Sequence, residues 1–280
     1  MDNQTLYGTE DGLSMNEDVG SWTAEKYRQL QLYAHQFTMG MKGKWKSLAY
    51  VDLYAGAGLS RVTATNEILL GSPLIALSLD IKFDHYVFCE RDSTKLAALE
   101  QRVERSFSNV SVEFISGDCD DPTFHFGSAI PQGALTLCFV DPYKLDIRFK
   151  TLRSLSQNRS IDFLCLLASR MDAGRNPHNY TREESTKIDE LLDSNDWRER
   201  WEESKIGVAR VPNFGDFICK EFSEKMETLG YLPTELHEMR PIKTDGGVVI
   251  YHLALFSKSK IAKRFWQQAS TYSQPQRKLF

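Results

Sequence analysis

The stretch Tyr50-Val51-Asp52-Leu53-Tyr54-Ala55-Gly56-Ala57-Gly58-Leu59-Ser60 decides how the rest of the chain is read. Tyr50 to Leu53 is a short apolar run with one acid, the pattern of a buried strand. It runs into two glycines spaced by one residue. Gly56 permits a tight turn, and Gly58 lets a ligand approach the backbone without meeting a Cβ. Asp52 stands at the carboxyl end of this strand, the edge where open α/β sheets bind ligands. A dinucleotide fingerprint would place a third small residue three positions after Gly58, and the chain has Arg61 there. NAD is therefore disfavoured. An acid within the turn would also repel a pyrophosphate. It suits a ligand with a cationic amine at one end and a nucleoside at the other, and S-adenosylmethionine (SAM) is one.

Working outward, strand-like runs alternate with helical ones. His85–Glu90, Val110–Ile115, Ala134–Val140 and Ile161–Ala168 read as the second to fifth strands. Helices are expected at 95–107 and 147–157. The alternation implies right-handed crossovers and a parallel sheet. Leu59 to Leu70 reads as a loop, after which Ser72 caps a helix with Pro73 in its first turn. Upstream, Ser21 or Thr23 caps a helix whose Tyr27, Leu30, Tyr33, Ala34 and Phe37 form a packing stripe. Residues 1–20 are polar and acid-rich and read as a flexible arm. Downstream, 171–182 reads as a mobile loop, and 183–203 and 213–229 as helices. Leu232–Met239 and Gly247–Phe256 are expected to form an antiparallel hairpin, and a basic helix follows from Lys258 to Ala269. The fold class is α/β, a Rossmann-like, mostly parallel seven-stranded sheet with a C-terminal antiparallel hairpin. It forms one domain over 21–270, with a loop and helical insertion at 171–230 and a tail at 271–280.

Composition sets few limits. The net charge is −4, with 41% apolar and 26% charged residues, as in ordinary globular proteins. Residues 238–280 hold eight bases and two acids, a weak pointer to a phosphate backbone. The five cysteines include no C-x-x-C pair, and Cys89, Cys138 and Cys165 sit in apolar runs as small hydrophobes. No metal site is expected. The amino terminus has no signal-like pattern and no apolar run reaches membrane length, so a cytoplasmic protein is expected.

The expected strands end in Asp52, Glu90, Asp118, Asp141 and Ser169. Four acids at one sheet edge repel one another, which argues for a cationic or hydroxyl-rich ligand. Glu90 can accept both ribose hydroxyls, or else pair with Arg91. Gly117-Asp118 can meet an adenine amine, or be a simple turn. In Asp141-Pro142-Tyr143, proline splays the backbone after the strand. Asp141 can then accept from an amine, and Tyr143 can stack on a planar base.

Together, YVDLYAGAG, GSPLIAL, FCERD, GDCD and FVDPY resemble class I SAM-dependent methyltransferases. More narrowly they resemble the three-Cys-motif partner proteins, bacterial and phage-associated. SWTAEKYRQLQLY resembles that family's first helix, and YHLALFSKSKIAKRFW its last strand and helix. The resemblance implies a cofactor site of Asp52, Tyr54, Gly56, Gly58, Glu90 and Asp118. It implies that Asp141, Pro142 and Tyr143 stand where amino-methyltransferases carry D-P-P-Y, with one proline here instead of two. It also implies a radical-SAM-like three-Cys-motif protein as partner and leaves the acceptor open. The expected activity is methyl transfer to an amine of a nucleobase or nucleic acid. The alternative is a SAM-binding or inactive subunit, docking through Trp197 and Trp201 or through the Tyr27–Phe37 stripe. An antiphage modification role follows only from the resemblance.

Overall fold

The computed structural model describes residues 8–121, 126–175, 177–206 and 212–272. The strand that carries Asp52 is β2 (Leu48–Asp52), in chain order after β1 (Asn16–Val19) and α1 (Thr23–Met41). All five β2 residues are buried, as befits a central strand. It is followed by β3 (Leu59–Val62), β4 (Ile68–Leu70) and α2 (Ser72–Leu77), then β5 (His85–Glu90), α3 (Ser93–Ser106) and β6 (Val112–Ser116). Next come α4 (Phe126–Ala129), β7 (Leu135–Val140), α5 (Phe149–Ser156) and β8 (Ser160–Leu167). The chain then makes a π-helical turn (Ser169–Ala173), α6 (Pro177–Thr181), α7 (Lys187–Leu192), α8 (Trp197–Glu203) and α9 (Phe214–Glu227). It ends in β9 (Arg240–Lys243), β10 (Val249–Phe256) and α10 (Lys260–Tyr272).

The main sheet has seven strands in the order β6-β5-β2-β7-β8-β10-β9. The first five run parallel, and β10 is antiparallel to both β8 and β9. This is the expected Rossmann-like α/β arrangement with its antiparallel hairpin at one edge. β2 divides its side chains by alternation. Leu48 and Tyr50 join the core under α1, α2, α3 and α10, and Ala49 and Val51 the core under α5 and α7–α9. The order reverses direction between β2 and β7, so the crevice at their carboxyl ends is where a ligand belongs.

The structure corrects several expectations. Residues 59–70 are not a loop but a hairpin, β3 against β4, and β1 adds in parallel to β3 to form a second, three-stranded sheet. Residues 8–20 are therefore no loose arm. Arg102 of α3, 4% exposed, grips this segment through the Asp11 carboxylate and the Ser14 carbonyl and also binds the Ala57 carbonyl. Residues 1–7 of the expected arm, Asn176, and residues 273–280 of the expected tail lie outside the described residues. Neither Ser21 nor Thr23 caps α1: Trp22 takes that position without a side-chain bond. At α2 the cap position is Gly71. The segment expected as a mobile loop winds into the π-helical turn and α6, and Tyr180 is buried against Phe214. The hairpin's first strand is Arg240–Lys243 rather than 232–239, because Leu236–Glu238 closes a 3₁₀ turn held by a reciprocal Glu235–Glu238 cap.

Both faces offered for docking are core. Trp197 packs tilted and Trp201 edge-on against Phe214, and the Trp197 indole N–H donates to Asp189 at 2.7 Å. The stripe from Tyr27 to Phe37 is likewise buried, with Tyr33 set edge-on to Trp266 of α10.

Two carboxylates lie inside the protein. Asp52 accepts from the Tyr50 hydroxyl and the Tyr54 N–H, each at 3.2 Å, and burial pushes its pKa up to about 7. Asp162 accepts from the Tyr33 hydroxyl at 3.2 Å, and burial raises it to about 6. An unfolded aspartate titrates near pH 3.9, so the folded chain holds extra protons between that value and about pH 7. Stability contributed by these protonated forms is complete below about pH 4 and declines as pH rises to about 7. Asp52→Asn should flatten that decline in urea melts, leaving the part due to Asp162.

Gly58 is also structural. Its φ is +86°, and an ideal Cβ there would lie 2.8 Å from Leu99 Cδ1 and 3.2 Å from Leu74 Cγ. The missing side chain lets α2 and α3 close over the turn. Gly58→Val should therefore destabilise the fold by about 1–3 kcal/mol, as overpacking does, and lower the thermal midpoint whether or not a ligand is present.

Candidate functional site

A cleft of about 1190 Å³ opens at the carboxyl ends of β2, β5, β6 and β7. Its floor is the turn after β2, where Leu53 to Gly56 line it. Gly56 adopts φ +62°, a conformation that only glycine enters cheaply. The backbone N–H groups of residues 54 to 57 are all engaged. Tyr54 N–H goes to Asp52 at 3.2 Å, Ala55 N–H to the Cys89 carbonyl at 2.9 Å, and Gly56 N–H to Glu90 Oε2 at 2.8 Å. Ala57 N–H goes to Asn16 Oδ1 at 3.3 Å.

Glu90 therefore stands where the sequence placed it, at the end of β5 and facing the cleft. Its second oxygen accepts from the Asp92 N–H at 2.8 Å, and Asp92 in turn caps α3 through Thr94 and Lys95. The carboxylate is fixed between turn and helix, with lone pairs left on each oxygen. Asp118 also lines the cleft, accepts from the Asp120 N–H at 2.9 Å and lies 3.8 Å from Arg91. Its side chain is half exposed.

Asp118, Cys119 and Asp120 bring three ligand-capable atoms within 4.8 Å of one another. The set is poor for an ion. Burial pushes the Cys119 thiol up, away from the thiolate that binds metals, and raises Asp120 as well. Asp120 already accepts from the Arg148 N–H and the Thr151 hydroxyl.

Two expected site residues are placed otherwise. Asp52 is fully buried beneath the turn and does not line the cleft; it clasps Tyr50, Tyr54 and the Ser72 hydroxyl of α2. Gly58 faces Leu74 and Leu99. Ser169, expected only as the polar end of the fifth strand, is buried against His252, with Oγ and Nδ1 at 2.7 Å. Tyr54 does line the cleft, and its hydroxyl donates to the Asp146 carbonyl at 2.7 Å.

Asp141, Pro142 and Tyr143 form the opposite wall. Tyr143 is 78% exposed at the cleft mouth, with the Lys144 ammonium 5.5 Å from the centre of its ring. Asp141 is not alone. Lys26 of α1 reaches its Oδ2 at 2.5 Å, with the two side chains 11% and 16% exposed. Burial alone would pull the lysine pKa down, but the neighbouring carboxylate overrides it and holds the ammonium charged. Lys26 also lies 4.8 Å from the centre of the Tyr27 ring. Lys187 and Glu190 of α7 reach the loop after β7, through Asp146 and Arg148, and so this inserted helix borders the cleft.

Asn16 and Lys26 were not legible as site residues. Asn16 sits in a polar segment with no apolar period, and Lys26 is one of several charges on an amphipathic helix. Only the pairing of β1 with β3 and the packing of α1 bring them to the turn.

No protein-family model matches the sequence, and no curated protein matches it. Solved structures with similar folds include TYW2 of M. jannaschii in complex with AdoMet, at 13% identity and TM-score 0.41, covering 91% of this chain and 87% of that one. Magnesium protoporphyrin IX methyltransferase (ChlM) of Synechocystis PCC 6803 with bound SAH is similar at 7% identity and TM-score 0.47, covering 84% of each chain. Trm1 of Pyrococcus horikoshii with S-adenosyl-L-methionine is similar at 8% identity and TM-score 0.47, covering 88% of this chain and 57% of that one.

Proposed function

We propose that the chain is a SAM-dependent methyltransferase acting on an amine of a nucleobase or nucleic acid. One observation carries the reading: Glu90, Asp118 and the Asp141–Tyr143 wall meet around the glycine turn in a single cleft at the switch point of a parallel sheet. The donor set suits SAM. Glu90 holds spare lone pairs for two ribose hydroxyls, and Asp118 offers a half-exposed carboxylate for an adenine amine. SAM when bound supplies a methyl group already activated by its sulfonium charge. What remains for the protein is alignment of the acceptor. Tyr143 offers its exposed ring to a planar base, and Asp141 offers Oδ1 to the acceptor N–H while Lys26 holds Oδ2.

A second reading keeps SAM binding without catalysis, with the chain serving a radical-SAM-like three-Cys-motif protein. The Lys26–Asp141 ion pair favours it, because the carboxylate expected to meet an amine already has a cation. The single proline after Asp141 points the same way.

Titration calorimetry with SAM tests the common part. Glu90→Ala should weaken binding about tenfold or more, since hydrogen bonds to a charged group are worth roughly 1.5–3 kcal/mol. Glu90→Gln keeps the side chain's shape and should fall between the two. Unchanged affinity in both variants would remove the ribose site from this cleft.

Methyl transfer to nucleic acid, with and without the three-Cys-motif protein, tests the finer part. Asp141→Ala should abolish turnover and leave SAM affinity intact, as expected for a contact made mainly in the transition state. Tyr143→Ala should raise the acceptor KM through lost stacking, worth roughly 1–3 kcal/mol per base. A wild type that binds SAM yet transfers nothing under either condition would favour the binding-subunit reading.

A further inference from the structure

The turn after β2 has an unusual property for a site that must receive an anionic group. A ligand with an amino-acid end carries a carboxylate, and glycine turns ordinarily meet such groups with free backbone N–H groups. Here the N–H groups of residues 54 to 57 are all committed, to Asp52, Cys89, Glu90 and Asn16. Glu90 adds negative charge beside Gly56. The turn by itself therefore repels an anion. The donor must come from a side chain that reaches the same spot.

Asn16 does so. It lies on β1, in register with Ser60 of β3, and it lines the cleft. Its carboxamide covers Gly56: an ideal Cβ there would lie 2.5 Å from Nδ2 and 2.9 Å from Oδ1. The amide orientation follows from its neighbours. The atom facing the Ala57 N–H must be an acceptor, so it is Oδ1. That leaves Nδ2, with two N–H groups, for the cleft. Among the described residues its hydrogen-bond partner is the Ser60 hydroxyl, at 3.4 Å, the outer limit of such a bond. The cation nearest in role, Lys26, is already held at 2.5 Å by Asp141.

We propose that Asn16 receives the carboxylate of the cofactor's amino-acid end through its carboxamide Nδ2, and that β1 is present to put it there. The inference rests on the reading of the cleft as a SAM site. It gives the three-stranded sheet a purpose. β3 and β4 fill the interval between the glycine turn and α2, and β1 docks on β3 so that Asn16 crosses the turn. Arg102 secures the approach by binding Asp11 and Ser14 on one side and the Ala57 carbonyl on the other. Asn16 acts here as a binding residue, and no bond is made or broken at it.

The test compares two ligands that differ only at the end in question. S-adenosylhomocysteine carries the amino acid, and 5′-methylthioadenosine replaces it with a methyl group. Their dissociation constants are measured by calorimetry for the wild-type chain, Asn16→Ala and Asn16→Asp. Asn16→Asp keeps an acceptor for the Ala57 N–H, so it preserves the turn while losing the donor. The expected result is a loss of about tenfold or more in S-adenosylhomocysteine affinity for Asn16→Ala, the size of a hydrogen bond to a charged group. The loss is larger for Asn16→Asp, which sets carboxylate against carboxylate. Methylthioadenosine affinity stays within about twofold in both. Equal losses for the two ligands would assign Asn16 to the shape of the turn and overturn the proposal, and so would unchanged S-adenosylhomocysteine affinity in Asn16→Asp. A wild type that binds both ligands separates these failures from failure of the SAM reading, which would appear as binding of neither.

Discussion

Four consecutive backbone N–H groups, from Tyr54 to Ala57, find their acceptors in four places: Asp52, Cys89, Glu90 and Asn16. A buried backbone donor left without a partner is costly, so a turn at this depth must be matched by the surrounding chain. Much of the structure serves that requirement. β5 supplies Cys89 and Glu90, β1 supplies Asn16, and β2 supplies the buried Asp52. The glycines set the path of the turn. Gly56 takes a left-handed φ under Asn16, and Gly58 takes another where Leu74 and Leu99 close in.

The same packing explains why the acids at the sheet edge do not act alike. Asp52 is enclosed by Tyr50, Tyr54 and Ser72, and burial moves it toward neutrality at physiological pH. Glu90 is held by two backbone donors and still faces the cleft. Asp141 meets a buried lysine, and Asp118 stays half in solvent. Four carboxylates at one edge would repel one another if each were free and charged. Enclosing one, fixing one and pairing one with a cation separates them into distinct roles. Helix α7 borders the cleft from the other side, and beyond it Trp197 and Trp201 are buried against Phe214 of α9.

The elements of the main sheet were legible because each is set by local pattern. The apolar runs at 85–90, 135–140 and 160–167 are strands of the length that their residues imply. The carboxyl ends of β5, β6 and β7 carry polar residues that line the cleft, so Glu90, Asp118 and Asp141 could be singled out by position. The hairpin at 59–70 was not legible. Leu59 to Val62 and Ile68 to Leu70 are too short to show a period of two, and their partner β1 lies forty residues upstream in a polar segment. The first strand of the terminal hairpin was displaced for a similar reason. Leu232 to Met239 is apolar enough to suggest a strand, but the reciprocal Glu235–Glu238 cap turns it into a 3₁₀ turn.

By itself, the sequence determined the alternation of strands and helices, the parallel sheet that follows from it, and the placing of acids at strand ends. These depend on the period of side chains along an element, which is written in the chain. Only the tertiary structure decided which acid faces the cleft and which is enclosed. It alone made Gly58 a packing residue, brought Lys26 to Asp141, and laid Asn16 across the glycine turn. Those outcomes depend on distances between residues far apart in sequence, and on desolvation, which no local pattern encodes.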